Sequence, residues 1–455
     1  MATLYVPDAV YLGGTLHFGV GLGVSDEGFV VGEVGPEARR VALPGRVLLP
    51  GLVNAHSHAF QRVLRGRTEY LAAGHQRDDF WTWREAMYAA ATALSPEEVY
   101  LVSRQAFLEM ALAGITTVGE FHYLHHGPDG TPYQDPHRLA LQVMRAAAEV
   151  GVRLVMLRAA YGRAGFGVAL DARQRRFIDP DPETALARTT ELGERAVGLC
   201  TVGLAPHSVR AVPRAWLELI AERWRGPLHL HVAEQPAEIH SCLEEHGLRP
   251  VELLDHVGLL GPATTLVHGI HLQPAEIERL GHRGVSVCAC PSTERNLGDG
   301  VVPADALQRA GVSLCLGSDS QAEIDLLDEA RQLEGHLRLL RLKRNVLASP
   351  SVNPSALGQR LLEVATVGGA RSLGLPVGAL EPGRPADFFT VDLEHPSLLG
   401  LPEPALLAGI VFGAPLGAIR DVAVQGTLIV RDHLHVRLTE PSGSFAAVVK
   451  SLAVN

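Results

Sequence analysis

Short apolar runs alternate with longer amphipathic segments between about residues 45 and 375. The short runs are rich in β-branched residues and end near Gly or Pro, which predicts strands. The longer segments, such as 96–113, 136–150, 213–224 and 274–283, have the apolar spacing of helices. Eight strands are predicted, at 47–49 (running toward Asn54), 116–120, 153–157, 201–204, 228–232, 264–267, 285–289 and 312–316. This alternation predicts an α/β fold with a parallel (β/α)₈ barrel of the TIM type, and a doubly wound open sheet is the alternative.

The two ends of the chain have a different pattern. Short alternating segments broken by Gly and Pro, such as "AVYLGGTLHFGVGLGV" and "RDVAVQGTLIVRDHL", predict antiparallel strands. We therefore expect residues 1–48 and 378–455 to combine into a small β-sandwich domain, and residues 49–377 to form the barrel.

Composition narrows the function classes. The 455 residues are 47% hydrophobic and 20% charged, as in globular proteins, and the net charge is −10. No cluster of Lys and Arg combines with aromatic residues, so we expect no nucleic-acid surface. The first residues, "MATLYVPDAVYLGG", lack a basic region and a long apolar region, so we expect no signal peptide, and no run of about twenty apolar residues predicts a membrane span. We therefore expect a cytoplasmic protein without a membrane partner, whose five cysteines are reduced.

The first candidate for chemistry is "PGLVNAHSHAFQR", residues 50–62. On a strand, residues i and i+2 point the same way, so His56 and His58 are expected to project together from the end of the first barrel strand. That end lies at the C-terminal face, where barrel enzymes hold their active sites. Two convergent imidazoles suit Zn²⁺, but two ligands do not make a metal site, and an H-x-H pair is common by chance.

Further ionisable side chains follow other predicted strands. "LHLHVAEQ" places His231 at the end of the fifth strand with Glu234 three residues later, and "TLVHGIHL" places His268 at the end of the sixth. "LCLGSDSQ" places Asp319 just past the eighth. Their joint placement on one face indicates a site for one metal ion. A bridged two-metal site with a carboxylated lysine is not expected, because both lysines of the chain lie beyond the eighth strand. The H-x-E and P-C-x-x-C layout of other zinc deaminases is absent.

These motifs resemble the amidohydrolase superfamily, and the resemblance extends over nearly the whole chain. The motifs that carry it are H-x-H at 56–58, H-x-x-E at 231–234, His268 and S-D at 318–319. The segments "EPGRPADFFTVD" and "DVAVQGTLIV" fit its two-part small domain. Within the superfamily, "HSHAFQR" and "FWTWREAMY" are similar to the N-formimino-L-glutamate (formimidoylglutamate) deiminases of one bacterial route of histidine degradation. Guanine, cytosine and adenosine-type deaminases resemble the chain in the metal ligands but not in these two motifs.

The resemblance implies one Zn²⁺ per subunit, although iron or manganese also suits such a donor set. The implied ligands are His56, His58, His231 and Asp319. The implied reaction hydrolyses N-formimino-L-glutamate to N-formyl-L-glutamate and ammonia, with metal-bound hydroxide attacking the formimino carbon. Glu234 is expected to carry a proton to the leaving nitrogen, and Asp319 to accept a proton from the water. His268 is expected to orient the water or to stabilise the developing charge.

A small-molecule substrate with two carboxylates calls for cations and hydrogen-bond donors at the mouth of the barrel. The planar guanidinium of arginine fits a carboxylate with two parallel hydrogen bonds. Arg84 in "WTWREAMY" and Arg210 in "APHSVRAV" are therefore candidate substrate contacts. The resemblance supports Arg210 and also implies contacts from Gln61, Tyr123 and His207.

Two other functions stay open. One is deamination of another amidine-like compound, such as a purine, pyrimidine or pterin base, and the two arginines argue against it. The other is a metal-binding barrel without catalysis, and the joint presence of Glu234, His268 and Asp319 argues against that. The segment 63–95 contains Phe80 and Trp81 and is expected to act as a lid or as a contact within a homodimer, which is the assembly that the resemblance suggests.

Overall fold

The computed structural model describes residues 1–71, 76, 78–168, 172–438 and 443–452. The N-terminal strands are β1 (Thr3–Leu12), β2 (Thr15–Phe18), β3 (Leu22–Val24), β4 (Val30–Val31) and β5 (Arg39–Pro50). The central strands are β6 (Leu52–Ser57), β7 (Ile115–His122), β8 (Arg153–Ala160), β9 (Cys200–Pro206), β10 (Leu228–Val232), β11 (Thr264–His268), β12 (Ser286–Ala289) and β13 (Ser313–Leu316). The C-terminal strands are β14 (Phe388–Asp392), β15 (Ile419–Val424), β16 (Thr427–Arg431) and β17 (Leu434–His435).

Helices fill most of the connections between the central strands. They are α1 (Phe80–Ala93), α2 (Pro96–Leu112), α3 (Arg138–Val150), α4 (Pro182–Glu194), α5 (Arg214–Arg223), α6 (Pro236–His246), α7 (Pro250–His256), α8 (Pro274–Arg283), α9 (Pro291–Leu297), α10 (Ala304–Arg309), α11 (Leu326–Arg341), α12 (Ala356–Glu363), α13 (Gly369–Ser372), α14 (Leu406–Gly413) and α15 (Gly443–Ser451). Within the described residues, no helix is both long and apolar enough to span a membrane.

Strands β6 to β13 form a nearly closed barrel, as the alternation of strands and helices predicted. All seven neighbouring pairs are parallel, and the strand order in the sheet is the order along the chain. The first and last strands meet at a bridge between Ser57 and Asp319. There, the Asp319 amide donates to the His56 carbonyl at 3.1 Å and the His58 amide donates to the Asp319 carbonyl at 3.0 Å. Strands such as β7 and β10 have no exposed residue, because parallel sheets in such folds are covered on both faces.

Both ends of the chain contribute to one nine-stranded mixed sheet. Its order is β17-β16-β15-β14-β5-β1-β3-β4, with β2 paired to β1. Successive side chains of β5 point to opposite faces of this sheet, and both faces are buried. Val47 and Leu49 pack into the main core, and Leu48 packs with Tyr5 and Phe388 in a separate cluster. The β1–β5 pair is parallel, unlike the predicted antiparallel strands, because β2 to β4 form a crossover long enough to return the chain in the same direction.

The predicted first barrel strand at 47–49 was wrong. Those residues belong to β5 of the mixed sheet, and the barrel begins at Leu52, whose amide donates to the Gly114 carbonyl at 3.1 Å. The amide of Gly51 still donates to the Asp387 carbonyl of the mixed sheet, so the change of sheet occurs between two consecutive residues. The hydrophobic pattern did not mark the boundary between the mixed sheet and the barrel, because residues 47–49 and 51–53 are all buried. The division into domains at 48/49 and 377/378 remains a prediction. Residues 439–442 and 453–455 of the second predicted part, and residues 72–75 and 77 of the segment 63–95, lie outside the described residues.

Candidate active site and metal centre

Four buried side chains meet at the C-terminal mouth of the barrel. They are His56, His58, His231 and Asp319, and we call them the donor quartet. His56 and His58 come from the end of β6, His231 comes from β10, and Asp319 follows β13. His56 Nε2 lies 3.2 Å from Asp319 Oδ1 and 3.2 Å from His231 Nε2. His58 Nε2 lies 3.4 Å from Asp319 Oδ1 and 3.3 Å from His231 Nε2.

The proton positions on two of these rings point to a cation between them. The Nδ1 atoms of His58 and His231 lie 2.8 and 2.9 Å from the carbonyl oxygens of Phe121 and His207. A carbonyl oxygen only accepts, so both Nδ1 atoms carry hydrogen. Burial lowers the pKa of both imidazoles and keeps them neutral, so that both Nε2 atoms present lone pairs. Two lone pairs that face each other at 3.3 Å repel unless a cation lies between them.

The spacing of the quartet matches a tetrahedral metal site. Ligand atoms at Zn–N distances of about 2.0–2.1 Å stand about 3.3–3.4 Å apart in a tetrahedron. The four contacts within the quartet measure 3.2, 3.2, 3.3 and 3.4 Å. Three imidazoles and one carboxylate are also the ligand types that Zn²⁺ prefers. Both the chemistry and the spacing of these residues therefore fit Zn²⁺.

His268 lies beside the quartet, at the end of β11. Its Nδ1 lies 3.2 Å from Glu294 Oε1, and its Nε2 lies 3.5 Å from Glu234 Oε1 and 3.8 Å from Asp319 Oδ2. Burial by itself lowers the pKa of His268, but these negative neighbours, with Glu234 first, raise it to about 10. His268 therefore presents an N–H donor on Nε2 toward the space above the quartet.

The backbone at Ala233 turns Glu234 into the same space. In an extended strand, a residue three positions after His231 would point to the opposite face. Ala233 has a left-handed conformation with φ of 53°, which reverses the direction of the next side chain. As a result, Glu234 Oε1 faces His268, and Oε2 accepts a hydrogen bond from Arg210 at 3.0 Å.

A cavity of about 250 Å³ opens above the quartet. All five predicted substrate contacts line it: Gln61, Arg84, Tyr123, His207 and Arg210. The predicted metal ligands and catalytic residues that line it are His58, His231, Glu234, His268 and Asp319, and His56 lies just beneath them. The structure therefore brings every predicted site residue to one place.

Gln61 and Tyr123 offer unused hydrogen-bonding groups to a ligand. Gln61 Nε2 donates to the Tyr123 hydroxyl at 2.9 Å, which leaves Gln61 Oε1 buried without a partner among the described residues. Among the described residues, the Tyr123 hydroxyl donates to the weak acceptor Met87 Sδ alone, at 3.4 Å. The cavity wall therefore contains an acceptor, Gln61 Oε1, next to a hydroxyl, that of Tyr123, which can rotate to donate to a ligand.

Arg210 and Arg84 differ in their neighbours: Arg210 contacts carboxylates, whereas Arg84 contacts aromatic rings. Arg210 lies between two buried carboxylates, with Nε 3.5 Å from Glu238 Oε2 in addition to the contact with Glu234. Arg84, on α1, lies over the rings of Trp81 and Tyr88, at 4.5 and 5.5 Å from their centroids. Its Nε has no hydrogen-bond partner, and no ion pair joins it to a carboxylate of the described ranges. Arg84 is thus a cation in the cavity wall that forms no ion pair with a carboxylate among the described residues.

Helix α1 forms one wall of the cavity and lies within the segment 63–95. Asp79 caps it with a side-chain contact to the Trp81 amide at 2.9 Å. Phe80 and Trp81 face the cavity, and the Arg210 guanidinium lies 5.6 Å from the Phe80 ring centroid. Helix α1 is therefore a wall of the cavity, and the roles of the segment 63–95 as a lid or as a subunit contact stay predictions.

Two carboxylates of the site were missed by the sequence analysis. Glu294 orients His268 and lies in "PSTERNL", directly after the seventh barrel strand, β12. Glu238 contacts Arg210 and lies in the first turn of α6, which begins at Pro236, shortly after Glu234. For Glu294, its position close to a strand end was the available signal, whereas no local pattern marked Glu238. His229 lies deeper in the barrel, as predicted, with Nε2 3.0 Å from the Ser372 carbonyl oxygen.

A model of the amidohydrolase family matches residues 47–429, which include the quartet, His268 and Glu234. This chain belongs to the amidohydrolase family. As an amidohydrolase it is a hydrolase that acts on C–N bonds, and its relatives include hydrolytic deaminases. A formimidoylglutamate deiminase from Pseudomonas aeruginosa is 37% identical over 433 residues, which cover 93% of this chain and 94% of that protein.

Solved structures share the architecture of this amidohydrolase. An amidohydrolase from Brucella melitensis superposes with a TM-score of 0.87 at 34% identity, and the match covers 99% of both chains. An adenosine deaminase from Xanthomonas campestris with bound zinc superposes with a TM-score of 0.81 at 25% identity, over 99% of this chain and 97% of the other. A zinc-containing relative with the same fold agrees with the fit of the donor quartet to Zn²⁺.

Proposed function

We propose that this amidohydrolase converts N-formimino-L-glutamate and water to N-formyl-L-glutamate and ammonia, as a step of histidine degradation. The observation that carries the proposal is the cavity whose wall contains members of the donor quartet, Glu234 and His268 together with Arg84, a cation without a carboxylate partner among the described residues. A small substrate with an electrophilic amidine at one end and carboxylates at the other fits this distribution of charge. The 37% identity to a formimidoylglutamate deiminase supports the same substrate.

We further propose that the quartet binds one Zn²⁺ per subunit. A bound Zn²⁺ would lower the pKa of a coordinated water to about 7 and so supply a nucleophile at neutral pH. The carbonyl oxygens of Phe121 and His207 accept hydrogen bonds from the Nδ1 atoms of His58 and His231 and so hold both rings in the tautomer that such binding needs.

Glu234 is the proposed proton carrier. Its Oε1 lies 3.5 Å from His268 Nε2, and its Oε2 is held by Arg210, so the carboxylate has a fixed orientation. After water has added to the formimino carbon, Glu234 takes the remaining proton of the new hydroxyl and delivers it to the nitrogen that leaves as ammonia, while the C–N bond breaks and the carbonyl forms. Asp319 Oδ2 lies near the same point and is the proposed first acceptor of the proton of the attacking water. General acid–base catalysis of this kind contributes about 10²–10⁴-fold to rates.

His268 is proposed to stabilise the tetrahedral intermediate. Glu294 fixes the ring through Nδ1, and the Nε2–H then points into the space where the reacting carbon would sit. A preorganised donor at a developing negative charge is worth about 10²–10³-fold in kcat.

The far wall is proposed to hold the rest of the substrate. Arg84 offers its planar guanidinium to a carboxylate, and Gln61 Oε1 offers an acceptor to an amidine N–H. Tyr123 and His207 line the cavity beside them. Arg210 is already paired with Glu234 and Glu238, so a substrate carboxylate would join an existing ion cluster there. A homodimer and a cytoplasmic location stay predictions.

The deciding experiment is an ammonia-release assay on the zinc-loaded protein. N-formimino-L-glutamate is compared with guanine, cytosine and adenosine, and Glu234→Gln is the matched inactive control. Release from N-formimino-L-glutamate alone supports the proposal. Faster release from a base would assign the protein to the nucleobase deaminases, and release from no substrate would indicate a metal-binding barrel without catalysis.

A further inference from the structure

A buried polar network lies behind the donor quartet, where the barrel closes. Its members are Asn54, Ser57, Glu120, Ser318 and Gln321, and we call it the seam network. All five residues are at most 2% exposed. The seam network joins β6, which supplies His56 and His58, to the loop after β13, which supplies the carboxylate of the quartet.

The hydrogen bonds of the network have a single direction. Asn54 Nδ2 donates to Ser318 Oγ at 2.7 Å, and Ser318 Oγ donates to Gln321 Oε1 at 2.9 Å. Gln321 Nε2 donates to Ser57 Oγ at 2.9 Å, and Ser57 Oγ donates to Glu120 Oε2 at 2.6 Å. The chain of donors therefore ends on Glu120, which must accept.

Glu120 also accepts on its other oxygen. The Ala59 amide donates to Glu120 Oε1 at 2.7 Å. Ser57 and Ala59 are the neighbours of His58 on either side, so one carboxylate holds the backbone around a predicted metal ligand at two points. Burial raises the pKa of Glu120 to about 8, and the hydrogen bonds from Ser57 and Ala59 offset part of that increase. With donors on both oxygens, only the carboxylate form satisfies every partner.

The same network fixes the other side of the quartet. Gln321 Nε2 donates to the Asp319 carbonyl at 2.8 Å as well as to Ser57 Oγ. Gln321 and Asp319 both have left-handed backbone conformations, with φ of 62° and 44°. Such conformations are strained in non-glycine residues and persist only where surrounding contacts hold them. The seam network supplies such contacts.

We propose that Glu120 is a positioning residue of the metal centre, which acts through Ser57, Ala59 and Gln321 to set the distance between the ligands of β6 and Asp319. Glu120 touches neither the metal position nor the cavity, and it is absent from the cavity lining. The inference rests on the proposed metal site. Replacement of a residue that orients metal ligands typically changes metal affinity by about 10–100-fold.

Glu120→Gln is the decisive variant, because the amide keeps the shape of the carboxylate but replaces one acceptor with a donor. If that donor faces the Ala59 amide, the contact with Ala59 is lost. If it faces Ser57 Oγ, the direction of that hydrogen bond reverses and the Ser57 O–H loses its acceptor. The dissociation constant for Zn²⁺ is measured on the folded metal-free protein by competition with a chromophoric chelator. We expect it to rise about 10–100-fold in Glu120→Gln, with kcat restored at saturating Zn²⁺ and KM unchanged.

Glu334→Gln is the matched control. Glu334 is also a fully buried carboxylate that accepts two backbone amides, from Val346 and Leu347 at 2.9 Å each, but it lies on α11 outside the network. This control should lose stability without a change in Zn²⁺ affinity. If Glu120→Gln does not fold, Ser57→Ala, which removes the hydroxyl between Gln321 and Glu120, is expected to weaken Zn²⁺ binding by about tenfold.

The outcomes separate the two proposals. Failure of the wild-type protein to bind stoichiometric Zn²⁺ would overturn the proposed metal site itself. If the wild type binds Zn²⁺ tightly and Glu120→Gln binds it with an affinity within about twofold of the wild type, only the positioning role is overturned. Where only Ser57→Ala folds, the same result in that variant has the same meaning. An equal loss in Glu334→Gln would also overturn it, because the effect would then follow from any buried carboxylate.

Discussion

Replacement of Arg84 by Gln tests the proposed substrate at the residue where the structure gives the clearest expectation. Arg84 stacks on Trp81 and Tyr88 but has no carboxylate partner among the described residues. Arg210, in contrast, holds Glu234 and Glu238, so its removal would disturb the catalytic carboxylate as well as the substrate. A loss of activity in Arg84→Gln therefore reports on binding of a negatively charged group.

The expected magnitude follows from the loss of a charge-assisted hydrogen bond. Such bonds contribute about 1.5–3 kcal/mol. This corresponds to a decrease of about 10- to 150-fold in kcat/KM for N-formimino-L-glutamate. Most of the change should be in KM, because a contact remote from the reacting carbon is similar in the ground state and the transition state.

Two substrate analogues make the assay specific. N-formimino-4-aminobutyrate lacks the α-carboxylate, and N-formimino-2-aminobutyrate lacks the side-chain carboxylate. Arg84→Gln should lose activity on the full substrate and on one analogue, and should match the wild type on the analogue that lacks the carboxylate bound by Arg84. Arg214→Gln is the control, because Arg214 is an exposed residue of α5 paired with Glu218. An equal loss on all three substrates, or no loss on any, would refute the assignment of Arg84 as a carboxylate ligand.

Three further predictions concern catalysis and stability. Glu234→Gln should keep its Zn²⁺ but lose at least about 10²-fold in ammonia release, and a variant with more than about a tenth of the wild-type turnover would contradict its role as proton carrier. Glu294→Gln removes one of the negative charges that outweigh burial and raise the pKa of His268 to about 10. The pKa of His268 should therefore fall, and the alkaline limb of the kcat/KM profile should move to lower pH. An unshifted limb would contradict the role of His268 as the protonated donor. Asp179→Asn breaks a buried pair with Arg158, whose contacts measure 2.7 and 3.0 Å, and should cost about 3–5 kcal/mol in urea unfolding. A cost below about 1 kcal/mol would show that the pair does not stabilise the fold.

The sequence was most informative where a periodic pattern ended in a polar residue. The H-x-H motif on a strand placed His56 and His58 on one face, and the repeated strand–helix alternation brought His231 and Asp319 to the same mouth. Strand boundaries were less well determined. The apolar residues from 47 to 53 run through two sheets, and only the hydrogen bonds on either side of Gly51 show where one ends.

Long-range partners could not be predicted from local pattern. The ion pair of Arg210 with Glu238 depends on how the loop after β9 meets the first turn of α6, which no local pattern specifies. Glu120 lies inside a fully buried strand, where a single carboxylate gives no indication of the partner that satisfies it. Its role became visible only through the hydrogen bonds that reach it from Ser57 and Ala59.

The position of the site at the barrel seam links metal binding to closure of the fold. Three members of the donor quartet, His56, His58 and Asp319, lie on the two strand ends that meet there, more than two hundred residues apart in sequence. The direct backbone contacts between these ends are the two hydrogen bonds around Asp319, and the side chains of the seam network provide the others. A metal ion held by both ends would add cross-links at a junction that, among the described residues, is held by two backbone hydrogen bonds. Substitutions that loosen the seam should therefore weaken metal binding even when they contact no ligand, because ligand spacing and barrel closure depend on the same contacts.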